Sequence, residues 1–480
     1  MPGLLRRVRF VLQHSARLVL ARLLGSRRQS WREKSRLSSE KGLVLLHGWV
    51  DQRSFNREGR YRNVNLGELA QHLERRGWTC CLLPLVLPTV GYRWALRALL
   101  RSRTPFLLPH TWLTLPDILE AAVADVGLCP PRGAVPSFES IDLQPLMEAD
   151  LRKDWAVARV PTNFLHCLTV RRWRSKGLPL AGFVYSYENH LWERGFCLGF
   201  RRAYPEARLV GYQDANVPDL CLNFYVSACE FERVPFPDVV VTNGAYSFSV
   251  LRRSGYPEER LRQGGAVRFE ASVERAREVG DDSECGEEMN GVRQAVLVVP
   301  PSNLELASEL IWKACRALGS DLALRVTIKC HPVLPFSRIE RALGGLRLPP
   351  NFVVSELPFL ELLLRSGVLL YMDSTTSLEA LAHGVGIIHV GSEWSLDLDT
   401  IGIDCAERMR ARTPAEIKAA VHAVLSMRGI ELADRRRRGR ELVRLFLGPA
   451  REHAYSPVAE VLLYEARCPA TPNSLWAQPE

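Results

Sequence analysis

The sequence contains no unbroken apolar run of the roughly 18 residues that a membrane-crossing helix needs, no CxxC pair, no GxxxxGK[ST] loop and no HExxH. The first absence argues against a bilayer-spanning chain. The twelve cysteines are scattered, with Cys80 and Cys81 the only adjacent pair, so neither a disulfide framework nor a zinc knuckle is expected, and a reducing compartment is. The last two absences argue against P-loop kinases and zinc hydrolases. Acid is scarce at one end. Residues 1–36 hold ten basic side chains and a single acid, Glu33, a local charge of +9, and the other 444 residues carry only about +1 of the total of +10. The body of the chain is therefore no basic nucleic-acid binder.

What is present is a globular composition, 47% hydrophobic and 24% charged over 480 residues, too long for one ordinary core and enough for two large domains. In the basic arm, Leu4, Leu5, Val8, Val11, Leu12, Ser15, Leu18, Val19 and Leu23 recur at helical steps, with Arg6, Arg9, Gln13 and Arg17 largely opposite. That pattern predicts an amphipathic helix. It would either lie on the anionic inner leaflet or pack on the body and turn its arginines to water.

Beyond the arm, short apolar runs alternate with helical spacings. Lys41–Trp49, Cys80–Leu87, Leu180–Ser186, Ala207–Tyr212, Pro237–Thr242 and Leu261–Val267 predict the strands of a first sheet, with a mainly helical insertion over 91–127 and 139–176. Residues 271–294 are acidic and poor in apolar side chains, the composition of a linker. The alternation then resumes more regularly, with strands expected at Ala295–Val299, Leu324–Lys329, Phe352–Ser355, Val368–Met372 and Gly386–Val390. The fold class expected is α/β: two Rossmann-like domains facing across a cleft, a GT-B-like architecture, behind an N-terminal amphipathic helix. Its parts would be an arm (1–36), an acceptor-side domain (37–270), the linker (271–294), a nucleotide-binding domain (295–455) and a tail (456–480).

In open parallel sheets, ligands sit beyond the carboxyl ends of the strands. There the second half places Ser302, then Lys329, His331 and Pro332, then Ser374, Thr375, Thr376 and Ser377 ahead of a helix carrying Glu379. Consecutive hydroxyls at a strand-to-helix turn gather donors that suit a phosphate, although one of them could serve as a plain helix cap. Histidine at a strand end donates to the same anion, with Lys329 expected on the same side, and Glu379 is placed to accept from ribose hydroxyls. The first half offers carboxylates for proton transfer: Glu188 after Leu180–Ser186, Asp214 after Ala207–Tyr212, and Asp51, with His47, after the first strand. Glu193, a little over one turn past Glu188, would cap its helix or pair with Arg194.

Lys329-Cys330-His331-Pro332 and Ser374-Thr375-Thr376-Ser377-Leu378-Glu379-Ala380-Leu381-Ala382-His383-Gly384 resemble the C-terminal domain of bacterial surface-polysaccharide glycosyltransferases. The likeness is to the His-Pro and Ser-Ser groups with which sialyltransferases and capsule Kdo transferases grip the nucleotide phosphate. It covers residues 295–392. Tyr187-Glu188-Asn189-His190-Leu191-Trp192-Glu193-Arg194-Gly195, Gly211-Tyr212-Gln213-Asp214 and Thr242-Asn243-Gly244 resemble a family of surface-carbohydrate biosynthesis proteins. The acidic base motif of the sialyltransferases is missing, which leaves the identity of the base open among the first-half residues, with Glu188, Asp51 and Asp214 as candidates.

The resemblance implies a glycosyltransferase that needs neither metal nor cofactor, uses a nucleotide sugar as donor and a glycan or lipid-linked acceptor, and serves lipopolysaccharide or capsule synthesis. It would work in the cytoplasm, peripheral on the inner face of the membrane. A UDP-sugar 2-epimerase, a glycerophosphotransferase and a non-catalytic nucleotide-sugar-binding partner fit the same architecture.

Overall fold

The computed structural model describes residues 2–25, 41–126, 137–270, 274, 295–449 and 452–463. The linker, apart from 274, and residues 26–36 of the arm lie outside the described residues.

The first domain is a six-stranded parallel sheet of β1 (Leu43–Val50), β2 (Thr79–Val86), β5 (Leu180–Ser186), β6 (Arg208–Tyr212), β7 (Val239–Thr242) and β8 (Leu261–Gln263), in the order β2-β1-β5-β6-β7-β8. A short hairpin, β3 (Ser137–Phe138) and β4 (Ile141–Asp142), interrupts the helical insertion. β1 is almost wholly buried, as a run of Leu and Val must be when helices cover both faces of a parallel sheet. The second domain holds β9 (Ala295–Val298), β10 (Arg325–Ile328), β11 (Phe352–Val354), β12 (Val368–Tyr371), β13 (Gly386–Val390) and β14 (Arg408–Ala411), all parallel, in the order β11-β10-β9-β12-β13-β14. Counted from β9 that is 3-2-1-4-5-6, the strand order of a dinucleotide-binding Rossmann domain. The chain is thus an α/β protein of two Rossmann-like domains, the fold class expected.

Each sheet has a switch point, where neighbouring strands leave in opposite directions around the fold and their ends open a crevice. In the first it falls between β1 and β5, and in the second between β9 and β12. The domains are not loosely tethered. One apolar cluster runs from Phe183 and Tyr185 through Tyr246 and Phe446 to Leu369 and Ile387. The helix Gly429–Leu447 carries it, covering the helix Thr376–Ala382 on one side and Ala245–Arg253 on the other. At that contact, Tyr246 and Phe446 stack with centroids 4.1 Å apart. Gly244 has no room for a side chain there: a Cβ would come within 2.9 Å of the backbone of Leu445, Phe446 and Gly448.

Two boundaries differ from expectation. Residues past 455 do not begin as a tail, because Glu452–Leu463 is a helix. Its Tyr455, Val458, Ala459 and Leu462 are buried against Val44, Leu46, Val184 and Tyr212 of the first sheet. Pro457 and the shortness of the segment hid it in the sequence. The basic arm is likewise part of the body. Pro2–Gly25 is a helix whose Phe10, His14, Leu18 and Ala21 are buried, and it lies against the helices Tyr92–Arg101 and Leu115–Ala122.

Candidate functional site

At the first switch point, β5 ends in Ser186 and the chain turns through Glu188-Asn189-His190 into the helix Leu191–Ala203. That turn is held from below. Glu193 is buried, and its carboxylate accepts the backbone N–H groups of Glu188, Asn189 and His190 at 3.0–3.1 Å. Burial pushes its carboxyl well up despite those bonds. Asn189 sits in the left-handed region at φ 58°, a conformation asparagine tolerates better than most residues, and its amide is bonded on both sides, to Asn223 and Arg194. Glu193 is therefore a cap that fixes the turn. The turn in its place presents a pair: Glu188 Oε2 lies 3.1 Å from His190 Nε2, both side chains about half exposed. A carboxylate that orients an imidazole is a recurring base arrangement. His190 was not singled out from the sequence, where it reads as one more polar loop residue.

Asp214 follows β6 and is 1% exposed. Asn65 donates to its Oδ2 at 2.5 Å, while Oδ1 has no partner among the described residues. Burial, and then the charge of Glu188, push its carboxyl up to about 6, with Arg268 pulling the other way. Glu188, Asp214 and Arg268 therefore share one electrostatic neighbourhood. Asp51 does not join them as a free base. Its carboxylate takes the Arg53 guanidinium in two bonds of 2.6 and 2.8 Å, the Arg53 N–H and the Ser54 hydroxyl, capping the turn Gln52–Ser54. What it positions is Arg53. His47 is buried between Trp49 and Trp192, with centroids at 4.7 and 4.5 Å, and burial lowers its imidazole to about 3.

His331 follows β10 in the second domain. Its Nδ1 accepts the Val333 N–H at 3.3 Å, which leaves the proton of the neutral ring on Nε2. Burial lowers its basicity first, and next the positive charges of Arg53 and Arg268. Those two arginines belong to the first domain, so their charge is felt at the end of β10 in the second. Lys329 departs from expectation: its ammonium is turned to Glu356, 3.8 Å away, rather than shown beside His331. Pro332 is exposed, as is Ser302 ahead of Asn303, whose side chain caps the helix Leu304–Leu318.

The hydroxyl turn divides by role. Ser377 is buried, bonded to the Ser374 carbonyl and to Thr400, so it holds the turn together. The Thr376 hydroxyl donates to Ser374 Oγ at 2.8 Å. Thr375, half-buried, is the cap residue of the next helix, and its side chain makes no capping hydrogen bond. Glu379, half-buried, is one turn further on. Asp373, just ahead, has its carboxyl raised by burial. The helix that follows, Thr376–Ala382, is only seven residues long, so its dipole adds little beyond the local N–H groups. His389, Asp397 and Asp399 lie close enough together to share a cation. Both carboxylates already face arginines, however, Asp399 with Arg408 at 2.5 Å and Asp397 with Arg410 at 3.8 Å.

A cavity of 750 Å³ adjoins the first-domain side, lined by Tyr61, Asn63, Arg103, Arg268 and Glu270 among others. Arg268 thus borders both this space and the carboxylates. Sequence reasoning missed Arg53, Arg268 and Asn65. Nothing in their local pattern marks them, and only the fold brings them to the strand ends.

No family model matches this chain, and no curated protein does. Solved structures resemble it at the level of backbone course. The calicheamicin glycosyltransferase CalG4 is 14% identical, with 87% of this chain and 98% of that one aligned at a TM-score of 0.48. HepE of Anabaena in complex with UDP and glucose is 10% identical, with 88% and 99% covered at 0.47. UDP-GlcNAc 2-epimerase of Neisseria meningitidis bound to UDP-GlcNAc is 10% identical, with 88% and 99% covered at 0.45. Each TM-score is below one half.

Proposed function

We propose that this chain is a metal-independent glycosyltransferase that takes a nucleotide sugar as donor and passes the sugar to a glycan or lipid-linked acceptor in surface-carbohydrate synthesis. The observation that carries the reading is the pairing across the cleft: Glu188, His190 and Asp214 at the ends of the first sheet, and His331, with Arg53 and Arg268 in electrostatic reach, at the second. In this reading, His331 Nε2–H and the Thr375 hydroxyl grip the phosphate. They act as the His-Pro and Ser/Thr groups of sialyl- and Kdo-transferases would, with Ser374, Thr376 and Ser377 shaping the turn. Arg53 and Arg268 offset the charge that grows on the leaving nucleotide, the work a divalent ion does elsewhere. The Glu188–His190 pair takes the acceptor proton as the new glycosidic bond forms. Glu379 meets the ribose.

A specific observation favours a second reading. A buried carboxyl pushed up to about 6, as burial and the charge of Glu188 push Asp214's, suits proton abstraction from a sugar carbon, the chemistry of a 2-epimerase. Incubation with CMP-, UDP-, GDP- and dTDP-sugars separates the two, since transfer releases nucleotide whereas epimerisation returns an intact isomeric donor.

Calorimetric titration tests the grip itself. His331→Ala and Thr375→Ala should each weaken nucleotide binding by about 1–3 kcal/mol, the range for hydrogen bonds to charged groups. The double variant should lose less than the sum, because both act on one ligand. Lower stability of the ligand-free variants with unchanged affinity would refute the site.

A further inference from the structure

The first helix packs on the body, but not by the aliphatic face that packing was expected to use. Its arginines do not simply face water. Arg6 bonds Asp125 at 2.6 Å and the Trp155 carbonyl, Arg22 bonds the Leu113 carbonyl at 2.7 Å, and Arg17 lies over the Tyr92 ring. Phe10, His14, Leu18 and Ala21 fill the inner face. The outer face carries Leu5, Val8, Leu12, Val19 and Leu23, which are 47–71% exposed and recur at helical steps, flanked by exposed Arg9, Gln13 and Arg22. A helix that packs its apolar stripe on a core and shows polar side chains outside needs no further partner. This one shows a second aliphatic stripe to the outside, edged by Arg9.

The stripe has a neighbour. The helix Leu115–Ala122 runs antiparallel beside it, as Arg6 reaching Asp125 and Arg22 reaching Leu113 require. That segment exposes Leu115, Leu119, Val123 and Val126 at 49–58%. On the other flank, the helix Tyr92–Arg101 shows an exposed row of Arg93, Arg97 and Arg101, with Arg103 beyond, and Trp94 41% exposed among them. Neither 2–25 nor 92–104 contains an acid. The acids of 115–126 are all paired: Asp117 with Arg171 and Arg172, Glu120 with Arg171, and Asp125 with Arg6 and Arg7. Among the described residues, this face therefore offers aliphatic side chains and unpaired positive charge together.

We propose that these three helices form a docking face for an anionic bilayer surface, with the two aliphatic stripes entering the headgroup–acyl boundary and the Arg93–Arg97–Arg101 row meeting lipid phosphates. Leucine and valine in rows suit acyl chains, exposed tryptophan suits the interface, and the charge sign suits an anionic leaflet. Among the described residues no helix is long and apolar enough to cross a membrane. The face stands on its own observations, whatever reaction the cleft performs.

Co-sedimentation of the full chain with vesicles of phosphatidylcholine, alone or mixed with phosphatidylglycerol, tests this. The native chain should pellet with the anionic vesicles and much less with the neutral ones. L12E/L119E should lower that binding by at least about tenfold, and R93E/R97E should remove the preference for anionic lipid. All three proteins should melt alike, since the altered side chains are exposed. The proposal is overturned if L12E/L119E pellets like the native chain, or if the native chain ignores anionic vesicles. A concentration-dependent dimer that L12E/L119E breaks would overturn it too, by assigning the stripes to a second copy.

Discussion

The two domains share a plan of six parallel strands but treat buried polarity differently. In the second, buried polar groups are mostly engaged: Asp399 with Arg408 and Tyr371, Ser377 with Thr400, and Lys313 with Glu309. In the first, His47, Ser186, Gln213, Asp214, Asn216 and Asn243 all hold buried polar atoms with no partner among the described residues, and they cluster at strand ends. Leaving such groups unmade costs stability. The difference is one of satisfaction: the first domain leaves polar atoms at its strand ends without protein partners among the described residues, whereas the second pairs most of its own.

The sharpest break would come from the pair at the first switch point. Glu188→Gln should lower kcat by about 10²–10⁴, the usual worth of a positioned base, while the melting temperature stays put because the side chain is half exposed. An unchanged kcat would move the base elsewhere in that domain. Next comes deletion of residues 2–25, which uncovers Leu113, Ile118 and Leu168 beneath Phe10 and Leu18. With about 1.5–3 kcal/mol per large buried side chain, urea unfolding should show a loss of about 3–6 kcal/mol. A negligible loss would restore the picture of an independent arm.

Asp214 gives a smaller effect with a definite sign. Its folded carboxyl titrates near 6, above the unfolded value of about 3.9, so the folded chain retains a proton that the unfolded chain has released. Stability therefore falls as pH rises from about 4 to about 6. Asp214→Asn should raise stability by about 2–3 kcal/mol at pH 8 and hardly at all near pH 4, as melting curves at both pH values would show. Smallest is Glu356→Gln. Its pair with Lys329 is long and Glu356 is nearly fully exposed, so stability should move by less than about 1 kcal/mol. Nucleotide affinity should rise slightly if the freed ammonium turns to the cleft, and titration would detect it.

Much of the fold was legible because buried parallel strands write themselves as short aliphatic runs: Leu180–Ser186 and Gly386–Val390 fall where the pattern predicts them. β14 did not, since Arg408 and Arg410 break the run and its pairing with β13 decides the matter. Helix Pro2–Gly25 was legible as a helix, but its orientation was not, because both faces carry leucine and only the neighbouring Asp125 and Tyr92 fix which one turns inward. At the site, the strand-end residues Glu188, Asp214 and His331 could be picked out by position. The roles of Asp51 and Lys329 could not, since each finds a partner, Arg53 or Glu356, that local sequence does not announce as one. Arg268 was invisible for the same reason, being brought to the cleft by a short turn after β8.

The return of Glu452–Leu463 to the first sheet sets an order of assembly. Domains generally fold as units as the chain is synthesised, the amino-terminal one first, yet here one face of the first sheet stays open until Val458 and Leu462 have been made. The domain translated first is completed last. A nascent chain stalled anywhere in the second domain would display a bare strip of Val44, Val184 and Tyr212, so early termination should produce chaperone clients rather than a usable half-protein.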